Sequence, residues 1–277
     1  MFVSNLYVII LYKIFFRIEV ITLDIDRLLH LATRAGSIML SSGGETYRVE
    51  ETINRICLSY GVDYADSFVT PTGIVVSVSK DYKTYSLVKR VKVRGTNLNK
   101  IELINNLSRK ITTKPLSFEE IEDELIQIES TNRYSMATTI FFSGLAGGAF
   151  TTLFNGNFRD IISAFLIGGL IKYLGITFSK MGINEFFINS ICAAIASLLA
   201  IIFFKFGVIL GVDETIIGSI MLLVPGLSIT NAIRDTIAGD FLSGITKGFE
   251  AFLIAVSIAC GTGAVLSVWL NYFGGSL

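Results

Sequence analysis

Apolar and polar positions change their pattern once along this chain, near Tyr134: before it apolar residues recur at helical or alternating spacing, and after it they run in blocks. Leu28, Leu31, Ala32, Ala35, Ile38 and Met39 share one face of a helix over 24–43, which stops at Ser41-Ser42-Gly43-Gly44. A second amphipathic helix, over 45–60, carries Val49, Ile53 and Ile56 on one face and Glu51/Arg55 as an i,i+4 pair. Strand-like runs follow at 63–69, 73–79 and 84–94. The first two are joined by Thr70-Pro71-Thr72-Gly73, which suits a type I turn with Pro at i+1 and Gly at i+3. Helices over 97–112 and 117–130 complete the order ααβββαα, a small α+β domain.

Beyond Tyr134 lie five apolar stretches. Those at 136–154, 186–204, 215–233 and 251–273 contain no charged residue, and the one at 161–178 contains only Lys172. Each has close to the ~20 residues needed to cross a ~30 Å hydrocarbon core. Of the 23 Lys and Arg, 17 precede residue 135, as do 16 of the 23 Asp and Glu. A charge at the centre of an inserted helix costs roughly 2.5–3.5 kcal/mol, so spans shed charges and loops collect them. The reading is an α-helical membrane protein with about five transmembrane helices, preceded by a small cytoplasmic α+β domain. Its expected parts are an apolar extension at 1–22, the α+β domain at 23–134 and the membrane domain at 135–277. The extension is short for a span and lacks a basic region ahead of its apolar run. An interfacial helix and a tail added by an upstream start site both remain open for it.

Charge also orients the spans. With Arg133 in the cytoplasm, Lys172, Lys180, Arg234 and Lys247 fall on the same side, and Arg159 and Lys205 fall outside beside Asp160, Asp213 and Glu214. Five cations against two follow the positive-inside rule. The N-terminal domain is then cytoplasmic and the C-terminus outside, in the inner membrane of the cell. Equal totals of acidic and basic residues give no pull toward nucleic acid. His30 is the only histidine, and Cys57, Cys192 and Cys260 form no ligand spacing, so no metal or cofactor is expected.

The fourth stretch differs from the others. Pro225 removes a backbone N–H and clashes with the preceding turn, and Gly226 relaxes the backbone beside it, so the helix should kink or unwind near mid-membrane. Such breaks persist where the freed backbone groups face protein or a wet cavity, and transporters build substrate sites from them. Ser228, Thr230, Asn231 and Arg234 follow the break as candidate substrate or translocation residues, with Asp235 as the candidate ion-coupling carboxylate. A proline-kinked structural helix is the plainer alternative. The small pairs Gly144/Gly148 and Ala193/Ser197 are read as helix packing. In the first domain the candidate motif is Gly43 to Glu50, GGETYRVE, with Gly44, Glu45, Arg48 and Glu50 at a helix start. Its alternative is a tight interhelical turn carrying surface charges.

Two long segments carry a resemblance. AGSIMLSSGGETYRVEETI with VTPTGIVVSV, within Ala35 to Val78, and LVPGLSITNAIRDTIAGDFLSG, from Leu223 to Gly244, resemble the two signatures of the threonine/serine exporter family. The length and single bundle resemble its split large-subunit type, YjjP. The resemblance implies secondary export of threonine and serine, or of a dicarboxylate such as succinate. It further implies a small multi-span membrane partner of the YjjB type and allows a higher oligomer. A membrane-tethered hydrolase, with the N-terminal domain as catalytic unit, and a membrane scaffold or sensor are the other classes in play. No nucleophile–base pair or phosphate loop supports the former, whereas an anchor would need only one span.

Overall fold

The Asp24 carboxylate accepts the Arg27 N–H at 3.0 Å and so caps the first helix, α1 (Ile25–Ser41). The computed structural model describes residues 24–92, 95–131 and 134–272. The extension expected at 1–22 lies outside them. The described chain divides into two compact units, with the division after Thr131.

The first unit continues with α2 (Thr46–Leu58), β1 (Tyr64–Thr70), β2 (Gly73–Lys80), β3 (Lys83–Arg90), α3 (Leu98–Thr113) and α4 (Phe118–Ser130). This is the order read from periodicity. The strands form one antiparallel sheet in the order β1-β2-β3. Two-residue turns join them. At Asp81-Tyr82 both φ angles are positive, the primed geometry that matches strand twist. Pro71 cannot take that geometry, and the Pro71-Thr72 turn has no positive φ. β3 ends before its expected limit because the chain leaves the sheet: the Gly95 and Asn97 N–H groups donate to the Ser41 and Ser42 carbonyls.

Ile74, Val76 and Val78 alternate inward along β2 and are fully buried against α1, while β1 packs on α2. Leu28, Met39, Ile53, Ile56, Ile104, Ile111, Ile121 and Leu125 complete a single core. A capping box starts α4: Ser117 accepts the Glu120 N–H, and Glu120 accepts the Ser117 N–H at 2.7 Å.

The second unit contains α5 (Met136–Leu153), α6 (Phe158–Lys180), α7 (Glu185–Lys205), α8 (Val212–Ile220), α9 (Gly226–Ile237) and α10 (Phe241–Tyr272). Four of these, α5, α6, α7 and α10, are long and apolar enough to cross a membrane. The stretch at 215–233, where a break at Pro225-Gly226 was expected, is two short helices, α8 and α9, with the interruption just before Gly226.

The bundle's burial reverses that of a water-soluble core. Large side chains such as Phe142, Leu166, Phe187 and Phe252 are exposed, and small ones such as Gly144, Ala164, Gly168, Ala193 and Ser197 are buried. A Cβ on Gly144 would lie 2.6 Å from the Phe165 carbonyl oxygen, and one on Gly261 would lie 2.0 Å from that of Ser190. Close backbone approach thus joins α5 to α6 and α7 to α10, as packing in lipid favours.

Candidate functional site

At the interruption, the Leu223 N–H donates to the Ile220 carbonyl at 2.8 Å and the Val224 N–H to that of Met221 at 3.3 Å, so the chain leaves α8 in tight turns. At Pro225 (φ −81, ψ 52) the Gly226 N–H donates to the Val224 carbonyl at 2.9 Å, an inverse γ-turn. Gly226 then opens α9. Nothing lies within 4 Å of where its Cβ would sit, and its φ is not positive. Neither packing nor conformation within this chain therefore demands a glycine there.

The expected site residues separate onto two faces of α9. Asn231 and Asp235, one turn apart, are buried, and half-buried Ser228 shares their stripe. Thr230 and Arg234 lie on an exposed face, and the Thr230 hydroxyl donates back to the Gly226 carbonyl at 3.0 Å. α9 packs on α10, while α8 packs among α5, α6 and α7. The Lys247 ammonium of α10 donates to the Asp235 carboxylate at 2.7 Å, and the two side chains are 11% and 0% exposed. Lys247, read from sequence as a flanking cation, is thus half of a buried ion pair.

The turn between the helices makes that pairing possible. Gly239 takes φ 96, and the Asp240 N–H donates to the Asp235 carbonyl at 2.8 Å, a Schellman closure that reverses the chain. A Cβ on Gly244 would lie 2.9 Å from the Ala232 carbonyl oxygen, so α9 and α10 touch closely just beside the pair.

The soluble motif begins as the tight interhelical turn that one of its two readings allowed. Gly43 takes φ 90, and the Gly44 N–H donates to the Met39 carbonyl at 3.0 Å, so both glycines close α1. Glu45, one alternative for which was a surface charge, is buried, and the Arg48 guanidinium donates to it at 3.3 Å. The Glu50 carboxylate accepts the Val69 N–H at 2.8 Å on β1, an edge strand of the sheet.

Residues 30–269 match a family described as "Putative threonine/serine exporter". The chain belongs to that family. Its relatives include the "Threonine/serine exporter" of Corynebacterium glutamicum, 28% identical over 85% of this chain and 50% of the relative. The "Probable threonine/serine exporter" of Mycobacterium tuberculosis is 25% identical over 85% of this chain and 45% of its own. The "Probable succinate transporter subunit YjjP" of Klebsiella aerogenes is 22% identical over 86% and 93%. The chain therefore spans about half the length of those exporters and most of the YjjP subunit. No solved structure matches it. The matched family and these relatives carry the names of transporters, and none of these names describes a hydrolase.

Three residues of this family member escaped the sequence reading as parts of a site. Lys247 pairs with Asp235 across a turn whose geometry is not legible in composition. Ser219, near the end of α8, is buried, and its hydroxyl has no hydrogen-bond partner among the described residues. Its position six residues before Pro225-Gly226 was the available signal. Asp160, fully buried at the start of α6, accepts the N–H groups of Asn157 (2.8 Å), Leu210 (2.8 Å) and Gly211 (3.2 Å). It ties α6 to the segment that leads into α8.

Proposed function

We propose that this chain is a subunit of an ion-gradient-driven exporter of small carboxylates: threonine and serine, or a dicarboxylate such as succinate. It works with a small multi-span membrane subunit of the YjjB type. The N-terminal domain faces the cytoplasm, α8 and α9 together make the fourth of five crossings, and the C-terminus is outside. The observation that carries this reading is the interrupted helix leading directly to a buried Asn231 and a buried Asp235–Lys247 pair.

Each part has a task that follows from its chemistry. The start of α9 carries the partial positive charge of a helix N-terminus, suited to a substrate carboxylate beside the open space at Gly226. The Asn231 amide supplies a neutral donor and acceptor close to that path. Arg234, on the exposed face, attracts the same anion from the cytoplasm. Asp235 couples the ion: a cation or proton on its carboxylate weakens the attraction for Lys247 and frees α9 to shift against α10. An intramembrane ionisable pair is expensive to keep and marks a functional pathway by default. Gly44, Glu45, Arg48 and Glu50 shape the first domain's helix junction and its edge strand in this reading.

The test is flux from proteoliposomes. The chain reconstituted with its YjjB-type partner should export labelled serine, threonine or succinate down an imposed ion gradient, and the chain alone should not. Robust gradient-driven flux from the chain alone would refute the two-subunit reading, and none from the pair would refute export.

A further inference from the structure

The first unit holds a cavity of about 450 Å³ that the proposed transport path does not use. One face of α1 forms its main wall, Leu31 and Leu87 give it an apolar lining, and Lys89 reaches it from β3. Two ion pairs between α1 and α4 bound it. Arg27 donates to Glu122 at 3.2 Å, and Arg34 grips both Glu129 oxygens, at 3.1 and 2.6 Å. Along α1, His30 and Thr33 fall between these two arginines.

Thr33 is the residue of interest in this wall. It lines the cavity and is 1% exposed, yet its hydroxyl has no hydrogen-bond partner among the described residues. Other helical threonines of the chain, Thr112 and Thr236 among them, turn their hydroxyls back to the preceding turn, to the Ser108 and Ala232 carbonyls; Thr262 in α10 shares with Thr33 a buried hydroxyl without a partner among the described residues. Buried hydroxyls are ordinarily satisfied, so this one calls for an occupant of the cavity. Around it, the carboxylates of Glu122 and Glu129 are already engaged by arginines. The His30 and Lys89 side chains form no close ion pair or hydrogen bond among the described residues, and Lys89 attracts Glu129 only from a longer range. The groups with hydrogen-bonding capacity left over are thus an imidazole, an ammonium and a hydroxyl, which together favour an oxyanion.

We propose that this cavity is a binding site for a small carboxylate metabolite, a sensing site apart from α8, α9 and α10. Lys89 and His30 take the carboxylate and Thr33 contributes its hydroxyl. The site stands whether or not the α9 path carries the exported substrate.

Because His30 is the only histidine in the chain, its imidazole resonances report on this cavity alone. The full-length protein, purified without a histidine tag and labelled at histidine, would be titrated in detergent with L-serine, L-threonine and succinate. The expected result is a saturable shift of the His30 signal. Thr33→Val and Lys89→Gln should each weaken that binding by roughly tenfold or more, and Asn231→Ala should leave it unchanged. A shift with the amino acids assigns the site to them, and a shift with succinate alone assigns it to dicarboxylates. Thr33→Val should also melt no lower than the parent without ligand, since no hydrogen bond is lost. A static His30 signal with all three compounds, equal affinity in Thr33→Val, or a lower melting temperature for that variant would overturn the proposal.

Discussion

Replacing one member of the Asp235–Lys247 pair leaves the other charge buried. The Asp235 side chain is 0% exposed and that of Lys247 11%, so solvent does little to screen either. Breaking a buried pair from one side typically costs ~3–5 kcal/mol, mainly through the charge left uncompensated. Asp235→Asn and Lys247→Met should each lose about that much. The double variant removes both charges together, so it should recover much of the loss, with a coupling of about 2–3 kcal/mol in a double-mutant cycle. Denaturant unfolding in detergent, followed by the fluorescence of Trp269, the single tryptophan, would give the four stabilities. Transport separates structure from mechanism: the double variant should fold and yet remain uncoupled from the ion gradient, because the titratable carboxylate is gone. Additive losses within about 0.5 kcal/mol would refute the pairing as an energetic unit, and full gradient-driven flux from the double variant would refute Asp235 as the coupling group.

Reporter fusions should place residues near Ser117 in the cytoplasm and a tag after Leu277 outside. Both ends on one side would mean that α8 and α9 do not cross together. Gly144→Ala should reduce the amount of assembled protein, measured by fluorescence size exclusion, because its Cβ would meet the Phe165 carbonyl oxygen at 2.6 Å; an unchanged yield would contradict the close α5–α6 approach. The Arg34 hydrogen bonds hold Glu129 below its ordinary carboxylate range, and the Ser117 backbone N–H does the same for Glu120. Lowered folded values mean that this stabilisation is present above the unfolded value of about 4.5 and lost as pH falls through the folded values. Melting of the first unit, followed by circular dichroism, should therefore be flat from neutral pH to about 5 and fall below that, less steeply in Arg34→Gln.

Much of the fold was legible because it rests on local periodicity. Ile74, Val76 and Val78 alternate, Val49, Ile53 and Ile56 recur at helical spacing, and each set points into the core. Pro225 likewise announced the break, since a missing N–H is a local fact. What escaped was set by distant groups. A window over 215–233 reads as one span, yet its halves pack on different partners, α8 on α5 to α7 and α9 on α10. Asp160 looked like a loop charge because the N–H groups that bury it belong to Leu210 and Gly211, some fifty residues on. Glu45 kept its i,i+3 partner Arg48, but spacing does not tell which side of a helix the rest of the domain will cover. The candidate set after Pro225 divides for the same reason: only the face carrying Asn231 and Asp235 meets α10.

The most direct measurement is the initial rate of gradient-driven export from proteoliposomes carrying Asn231→Ala with the partner subunit, at matched amounts of assembled protein. Asn231 is buried on the α9 face that holds Asp235 and bears no charge of its own. Its loss should leave the fold standing and remove a contact to the substrate. A fall in rate of about tenfold or more, corresponding to at least ~1.4 kcal/mol of lost stabilisation along the path, is the expected result. Export at the parental rate would contradict translocation along α9.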